Sequence, residues 1–150
     1  MCAINGFNFK DRELITAMNA VTNHRGPDDT GICLDNQISL GHNRLSVIDL
    51  SSGAHQPMFS DDRGLVTVFN GEIYNFLELR NELESFYRFK TKSDTEVILA
   101  AYKRWGGNCV KKFNGIFALA VWDCKKKELF LARDHVGVKP LYYYLNRQQQ

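Results

Sequence analysis

The sequence predicts an α+β fold built from layered, largely antiparallel sheets, and three observations predict it. Strand-like segments occupy both ends of the chain, helical periodicities are grouped in its middle, and no βαβ unit repeats. At 150 residues, with 44% apolar and 12% aromatic side chains, the chain has the length of one domain and enough apolar surface for its own core. Residues 1–150 are therefore read as a single domain.

Residues 4–9 read as a short strand entering a helix whose apolar face is Leu14, Ile15, Met18 and Val21. That helix is expected to end before His24-Arg25-Gly26-Pro27-Asp28, because Pro27 restricts the residue before it and Gly26 supplies a permissive backbone. Strands are expected at 31–34, 38–42 and 44–50. The run L-V-T-V-F at 65–69 reads as a buried strand that stops at Asn70-Gly71. Asn75 with Glu78 resembles a capping box opening a helix with Leu79, Leu83 and Phe86 on its apolar face. Ser93 and Glu96 repeat that signal before Val97, Ile98, Ala101, Tyr102 and Trp105, and Gly106-Gly107 ends the second helix. I-F-A-L-A-V-W-D and E-L-F-L-A-R-D, joined by Lys125-Lys126-Lys127, form a hairpin, and 140–145 reads as one more strand.

Nineteen basic against seventeen acidic residues leave a net charge of only +2, with no run of five or six like charges. Charge therefore gives no support to nucleic-acid or membrane binding. No stretch of eighteen apolar residues occurs, and the N-terminus has no basic region leading into a long apolar one, so a soluble cytoplasmic protein is expected. Cys2, Cys33, Cys109 and Cys124 show no C-x-x-C spacing, and the four histidines show no H-E-x-x-H or paired Cys/His spacing, so no metal is predicted. In a reducing compartment disulfides are not expected, and Cys33, Cys109 and Cys124 are read as buried small hydrophobes.

Cys2 is the most informative position. Removal of Met1 would leave a thiol and a free α-amine on one residue. An α-amine titrates at about 7.7–8.0 and a thiol at about 8.5, so the amine can take the thiol proton near neutrality without a histidine. Taken alone, a cysteine at position 2 is more often an accident of sequence than a nucleophile.

The rest of the chain changes that balance. M-C-A-I-N-G, H-R-G-P-D (24–28), R-L-S-V-I-D (44–49), N-G-E-I-Y-N (70–75), S-D-T-E-V (93–97) and R-D-H-V-G-V-K-P-L-Y-Y (133–143) together resemble the glutaminase domain of asparagine synthetase. The resemblance implies an N-terminal-nucleophile hydrolase fold, a four-layer αββα sandwich, with L-glutamine as amide donor. It gives Cys2 as nucleophile and Asn70 with Gly71 as the oxyanion hole, where losing one donor typically costs about a hundred- to thousand-fold in rate. Without the other blocks, Asn70-Gly71 would be a hairpin turn.

The same resemblance assigns Arg44 to the substrate α-carboxylate, which a guanidinium can grip with two hydrogen bonds. Asp94 goes to the α-ammonium, although beside Ser93 it could equally serve only the helix N-terminus. The resemblance also implies Glu72 as a further contact to substrate amino or amide groups. Arg25 and the Gly26-Pro27-Asp28 turn are expected to stiffen the active-site wall or merely to close a helix.

The resemblance further implies that ammonia passes to a synthetase domain or subunit, which alone would need ATP and magnesium. No S-G-G-x-D-S pyrophosphatase loop follows, so that domain is expected to be absent from this chain, along with a further strand of the glutaminase fold; no cofactor is expected in the chain itself. Other acceptors such as sugar acids, a non-catalytic glutamine-binding role, and a homodimer all stay open at this point. Other class II amidotransferases share the N-terminal cysteine and the Asn-Gly pair, but R-L-S-V-I-D and K-P-L-Y-Y are closer to asparagine synthetase.

Overall fold

The computed structural model describes residues 1–146. Its elements in order are β1 (Ala3–Phe7), α1 (Arg12–Thr22), a 3-10 turn (Asn23–Arg25), β2 (Asp29–Asp35), β3 (Ile38–Arg44), a second 3-10 turn (Ser52–Ala54), β4 (Met58–Phe59), β5 (Leu65–Ile73), α2 (Phe76–Leu83), α3 (Asp94–Trp105), a 3-10 segment (Gly106–Lys112), β6 (Gly115–Asp123) and β7 (Glu128–Arg133). They form two antiparallel sheets with strand orders β1-β3-β2 and β4-β5-β6-β7.

The two-residue period of the strands explains the layers. On β3, Ile38 and Leu40 point to the second sheet, where they meet Val66 and Val68 of β5 with Ala120 and Trp122 of β6. The alternate residues point the other way, to α1: Asn19 packs where a Cβ on Gly41 would lie 2.3 Å from its Oδ1, and Thr22 donates to Asn43 Oδ1. On β5 and β6 the remaining face, Phe69, Ile73, Phe117, Leu119 and Val121, packs beneath Leu79 and Leu83 of α2 and Val97, Ile98 and Ala101 of α3. The order is helix, sheet, sheet, helices, an αββα sandwich. Because β5 and β6 are covered on both sides, each of their buried aliphatic side chains contributes about 1.5–3 kcal/mol of burial, and this pair is the anchor of the fold.

Several local expectations differ from what is observed. Residues 45–50 are a loop, not a strand: Val47 and Leu50 are exposed, and Arg44 donates to the carbonyls of Asp49 and Ser51, which folds the chain back on itself. Asp49 adopts φ 52° within that loop. β5 does not stop at Asn70-Gly71 but runs on to Ile73, with Asn70 opposite Ala118 and Gly71 opposite Phe117, so the pair is no hairpin turn.

On α1 the residues buried are Ile15 and Asn19, while Leu14 and Val21 face solvent. Local periodicity places the stripe one position off because a polar residue, Asn19, takes the central contact. Asn75 makes no cap to its own helix; its amide instead bonds Lys112 O and Asn114 N across to the entry of β6. Phe86 lies beyond α2 and is half exposed. Residues 140–145 are irregular: Tyr142, Tyr143, Tyr144 and Leu145 remain exposed, and with neither a partner strand nor a buried face nothing favours a strand there.

Cys33 and Cys109 are buried as expected, and burial pushes their thiols up to about 11 and 12, which keeps them protonated. Cys124 is only partly covered.

Candidate active site

Cys2 immediately precedes β1, so the pairing that sets Ala3 against Asn43 on β3 brings it beside Arg44 and Leu45. Its Sγ lies 3.4 Å from the Leu45 N–H, which donates to it, and 3.7 Å from the Leu45 carbonyl. Its own carbonyl accepts from Arg25 Nε at 3.3 Å. The Gly26 turn closes on β3 so tightly that a Cβ there would come within 2.4 Å of Asn43 O, and Asp28 accepts the Ser46 N–H at 2.8 Å. Arg25 thus holds the Cys2 backbone and the Gly26-Pro27-Asp28 turn packs on β3 and Ser46, which is more than ending a helix, although none of residues 25–28 is among those lining the cleft.

Across from Cys2 stands the end of β5, and its chemistry follows from a short neighbour. β4 has two residues and pairs only with Thr67 and Val66, so beyond Thr67 that edge of β5 lacks a strand partner. Side chains replace it. The Phe69 N–H donates to Gln56 Oε1 at 2.7 Å, His42 Nε2 bonds the Phe69 carbonyl at 3.1 Å, and the Ile73 N–H donates to Asp94 Oδ2 at 3.1 Å.

Amides two apart on a strand point the same way, so the Gly71 N–H, between those of Phe69 and Ile73, is also turned from β6 and into the cleft. Its opposite residue, Phe117, uses its own N–H and carbonyl on Asp134 at the far edge. Gly71 has to be glycine, since a Cβ at that position would meet Ile116 O at 2.1 Å.

Asn70 and Glu72 lie on the face of β5 that Val66 and Val68 turn toward the first sheet, where Cys2 sits. Asn70 is 5% exposed and its carboxamide has no hydrogen-bond partner among the described residues, whereas the amides of Asn5, Asn19, Asn43 and Asn75 are all bonded. His42 Nδ1 is the fully buried side-chain polar atom without a partner among the described residues, so the Asn70 carboxamide keeps its opening to the cleft, where a ligand can pair with it.

Ser93 caps α3 by accepting the Thr95 N–H at 3.1 Å, which places Asp94 in the first helical turn and facing the cleft. Glu96 does not close a capping box on Ser93; it takes the N–H groups of Lys90 and Thr91 and fixes the preceding loop. Burial pushes the Asp94 carboxyl up to about 6, opposed by the Ile73 and Thr95 N–H groups, with Glu72 adding repulsion. Asp94 and Glu72 form no ion pair among the described residues, so the cleft carries two acidic side chains free of a paired cation there.

Arg44 is buried and pairs with no carboxylate among the described residues. Two of its five N–H donors hold the 45–51 loop through the Asp49 and Ser51 carbonyls, and the others are left for an anion.

All six residues singled out from sequence, Cys2, Arg44, Asn70, Gly71, Glu72 and Asp94, line one cleft with a cavity volume of about 100 Å³. Sequence reading missed Gln56, which supports the Phe69 amide, and Lys139, which lines the cleft and belongs to the last of the six motif blocks. The signal for Lys139 is a single lysine in the otherwise uncharged run V-G-V-K-P-L-Y-Y. Leu45, Val47 and Ile48, where the sequence predicts a strand, form an apolar wall of the cleft.

Residues 1–150 match the family model described as glutamine amidotransferase domain. Among curated relatives, glutamine-hydrolyzing asparagine synthetase 1 of Bacillus subtilis is 46% identical over 87% of this chain and 21% of its own length. Glutamine-hydrolyzing asparagine synthetase B of Escherichia coli is 40% identical over 95% of this chain and 26% of its own. The chain thus spans about a quarter of the length of these two relatives.

Among solved structures, the glutamine phosphoribosylpyrophosphate amidotransferase of B. subtilis superposes with a TM-score of 0.72 at 20% identity, covering 89% of this chain and 37% of that one. A structure described as the allosteric regulatory enzyme of purine biosynthesis superposes with a TM-score of 0.74 at 22% identity, over 93% and 38%. At those identities the likeness speaks for the fold alone, and it agrees with the layered αββα sandwich expected from sequence. With a match along its whole length and relatives at 40% identity and above, this chain belongs to the glutamine amidotransferase domain family.

Proposed function

We infer that the cleft hydrolyses L-glutamine to glutamate and ammonia, with Cys2 as the nucleophile once Met1 is removed. What supports this most is one convergence: a thiol, two open hydrogen-bond donors, a buried guanidinium and two carboxylates share a single cleft. Arg44 takes the substrate α-carboxylate, and Asp94 with Glu72 takes the α-ammonium, which fixes glutamine with its side-chain amide toward Cys2.

The Cys2 α-amine accepts the thiol proton, and Sγ bonds to the amide carbon. The carbonyl oxygen gains the electron pair and is held by the Asn70 carboxamide and the Gly71 N–H. As the tetrahedral species collapses, the C–N bond breaks and the protonated amine gives its proton to the departing nitrogen, which leaves as ammonia. Water, deprotonated by the same amine, then attacks the thioester carbon; the C–S bond breaks, glutamate forms and the thiol is restored.

The ammonia is consumed by a synthetase domain or subunit that amidates an activated aspartate, a reading supported by the names of the relatives at 40% identity and above. ATP and magnesium belong to that second reaction and have no part in glutamine hydrolysis.

The experiment combines intact mass with glutamate release from glutamine on the same purified material. Processed protein is expected to release glutamate, and Cys2→Ala is expected to release none while still binding glutamine by calorimetry. Normal hydrolysis by Cys2→Ala would refute the nucleophile.

A further inference from the structure

Lys139 takes no part in the hydrolytic steps, yet its position is closely fixed. Its side chain is buried, 7% exposed, and lines the same cleft as Cys2. Its Nζ lies 2.8 Å from Sδ of Met1, the residue bonded to the nucleophile. A thioether is a weak acceptor, and among the described residues no carboxylate lies within ion-pair distance of this ammonium. An unpaired buried cation is expensive to keep unless it acts on something nearby.

The turn that delivers Lys139 is held at several points. Asp134 accepts the N–H groups of Phe117 at 3.2 Å, Val138 at 2.8 Å and Lys139 at 2.9 Å, and its carbonyl takes the Gly137 N–H at 3.1 Å. Gly137 adopts φ 71°, and a Cβ there would collide with the Arg133 guanidinium. The lysine backbone is thus held to the end of β6 at a defined place and does not sit on a free tail.

We propose that Lys139 is a positioning residue for the nucleophile: after Met1 leaves, its ammonium faces the new N-terminus and favours the uncharged amine and the thiolate of Cys2. Like charge disfavours protonation of the amine, and opposite charge favours ionisation of the thiol, so one cation helps both halves of the proton transfer. The other charged groups around Cys2 are Arg25 on its carbonyl, Arg44 beside it, and Glu72 and Asp94 across the cleft. The two carboxylates act in the opposite sense, and Lys139 offsets them on the side from which Met1 departs. This role rests on the hydrolytic reading of the cleft.

The test uses the full chain with Met1 loss confirmed by mass. Iodoacetamide alkylation of Cys2 is followed against pH on the N-terminal peptide by mass spectrometry, beside the pH profile of kcat/KM for glutamate release. Lys139→Met keeps the apolar stem and deletes the charge. It is expected to move the alkylation midpoint and the acid limb of kcat/KM upward by about half a pH unit or more, roughly a threefold loss of rate on that limb. Lys139→Arg is expected to restore both toward wild type.

Coincident profiles for wild type and a folded Lys139→Met would overturn the proposal, as would equal shifts in the Met and Arg variants. Should the Met variant not fold, Lys139→Gln carries the same comparison. If processed wild type releases no glutamate, the hydrolytic reading fails, while the alkylation midpoints still decide whether Lys139 acts on Cys2.

Discussion

The Asp94 carboxylate accepts the Ile73 N–H at 3.1 Å, and that bond ties the first turn of α3 to the strand end that carries Asn70, Gly71 and Glu72. The two sides of the cleft are thus held in register by a carboxylate that also lines it. Asp94 is 4% exposed, and burial keeps its carboxyl near the working pH range.

Replacing that charge should separate function from stability. Asp94→Asn retains an acceptor for the Ile73 N–H but cannot pair with an ammonium. The KM for glutamine is expected to rise about tenfold or more, in line with about 1.5–3 kcal/mol for a charge-assisted bond. In wild type the same KM should rise as pH falls through about 6, because protonation removes the carboxylate. Steady-state kinetics across roughly pH 5 to 8 checks both; a flat KM profile would count against Asp94 as the ammonium site.

The stability of the fold should carry two opposed acid terms. His42 is fully buried, its Nδ1 has no partner among the described residues, and burial lowers it from 6.5 to about 4. The unfolded chain therefore binds its proton first, and stability is lost as pH falls from about 6.5 toward 4. Asp94 is raised from 3.8 to about 6, so the folded chain binds that proton first and stability is gained as pH falls from about 6 toward 3.8.

Each is worth up to about 3 kcal/mol at about 1.4 kcal/mol per pH unit, and wild type should show a shallow net dependence in this window. Urea denaturation of Asp94→Asn is expected to show a more stable protein near neutral pH with a steep loss below about 6.5. His42→Gln, which can still donate to Phe69 O, should instead gain stability on acidification. Identical pH slopes in all three proteins would remove this account.

Asn70→Ala and Gly71→Ala should fail in different ways. Asn70 contributes no side-chain bond to the fold among the described residues, so its removal is expected to leave the melting temperature unchanged or higher while kcat falls about a hundred- to thousand-fold. At Gly71 the added methyl meets the Ile116 carbonyl, which forces β5 and β6 apart and costs about 1–3 kcal/mol as well as activity. Paired melting and rate measurements distinguish the two; a destabilised but active Asn70→Ala would reverse the assignment.

Arg44→Lys is expected to weaken glutamine binding about tenfold or more, since a single ammonium cannot hold a carboxylate and both the Asp49 and Ser51 carbonyls. The same change should loosen residues 45–51, read as faster cleavage there in limited proteolysis. Unaltered KM and unaltered cleavage together would contradict both roles of the guanidinium.

Much of the fold is legible in the chain. The apolar runs at 65–69 and 116–123, the serine cap before Asp94 and the glycine after Trp105 are local signals, and the elements they announce are all present. The candidate residues that share the cleft are legible as well, because the ordered blocks carry them. The loop at 45–50 is not, since an apolar run lining a cleft has the same pattern as one entering a sheet.

What the sequence by itself determined is which groups are available: a thiol beside the N-terminus, an Asn-Gly pair, one arginine and two acids, each placed on an element of recognisable period. Tertiary structure alone decided how they are presented. The Gly71 N–H is open because β4 ends two residues into its pairing, Asp94 titrates high because packing of the layers buries it, and Lys139 reaches Met1 across 138 positions of chain. Local preferences act over a few residues. Burial, missing strand partners and contacts between distant segments exist only once the layers have packed.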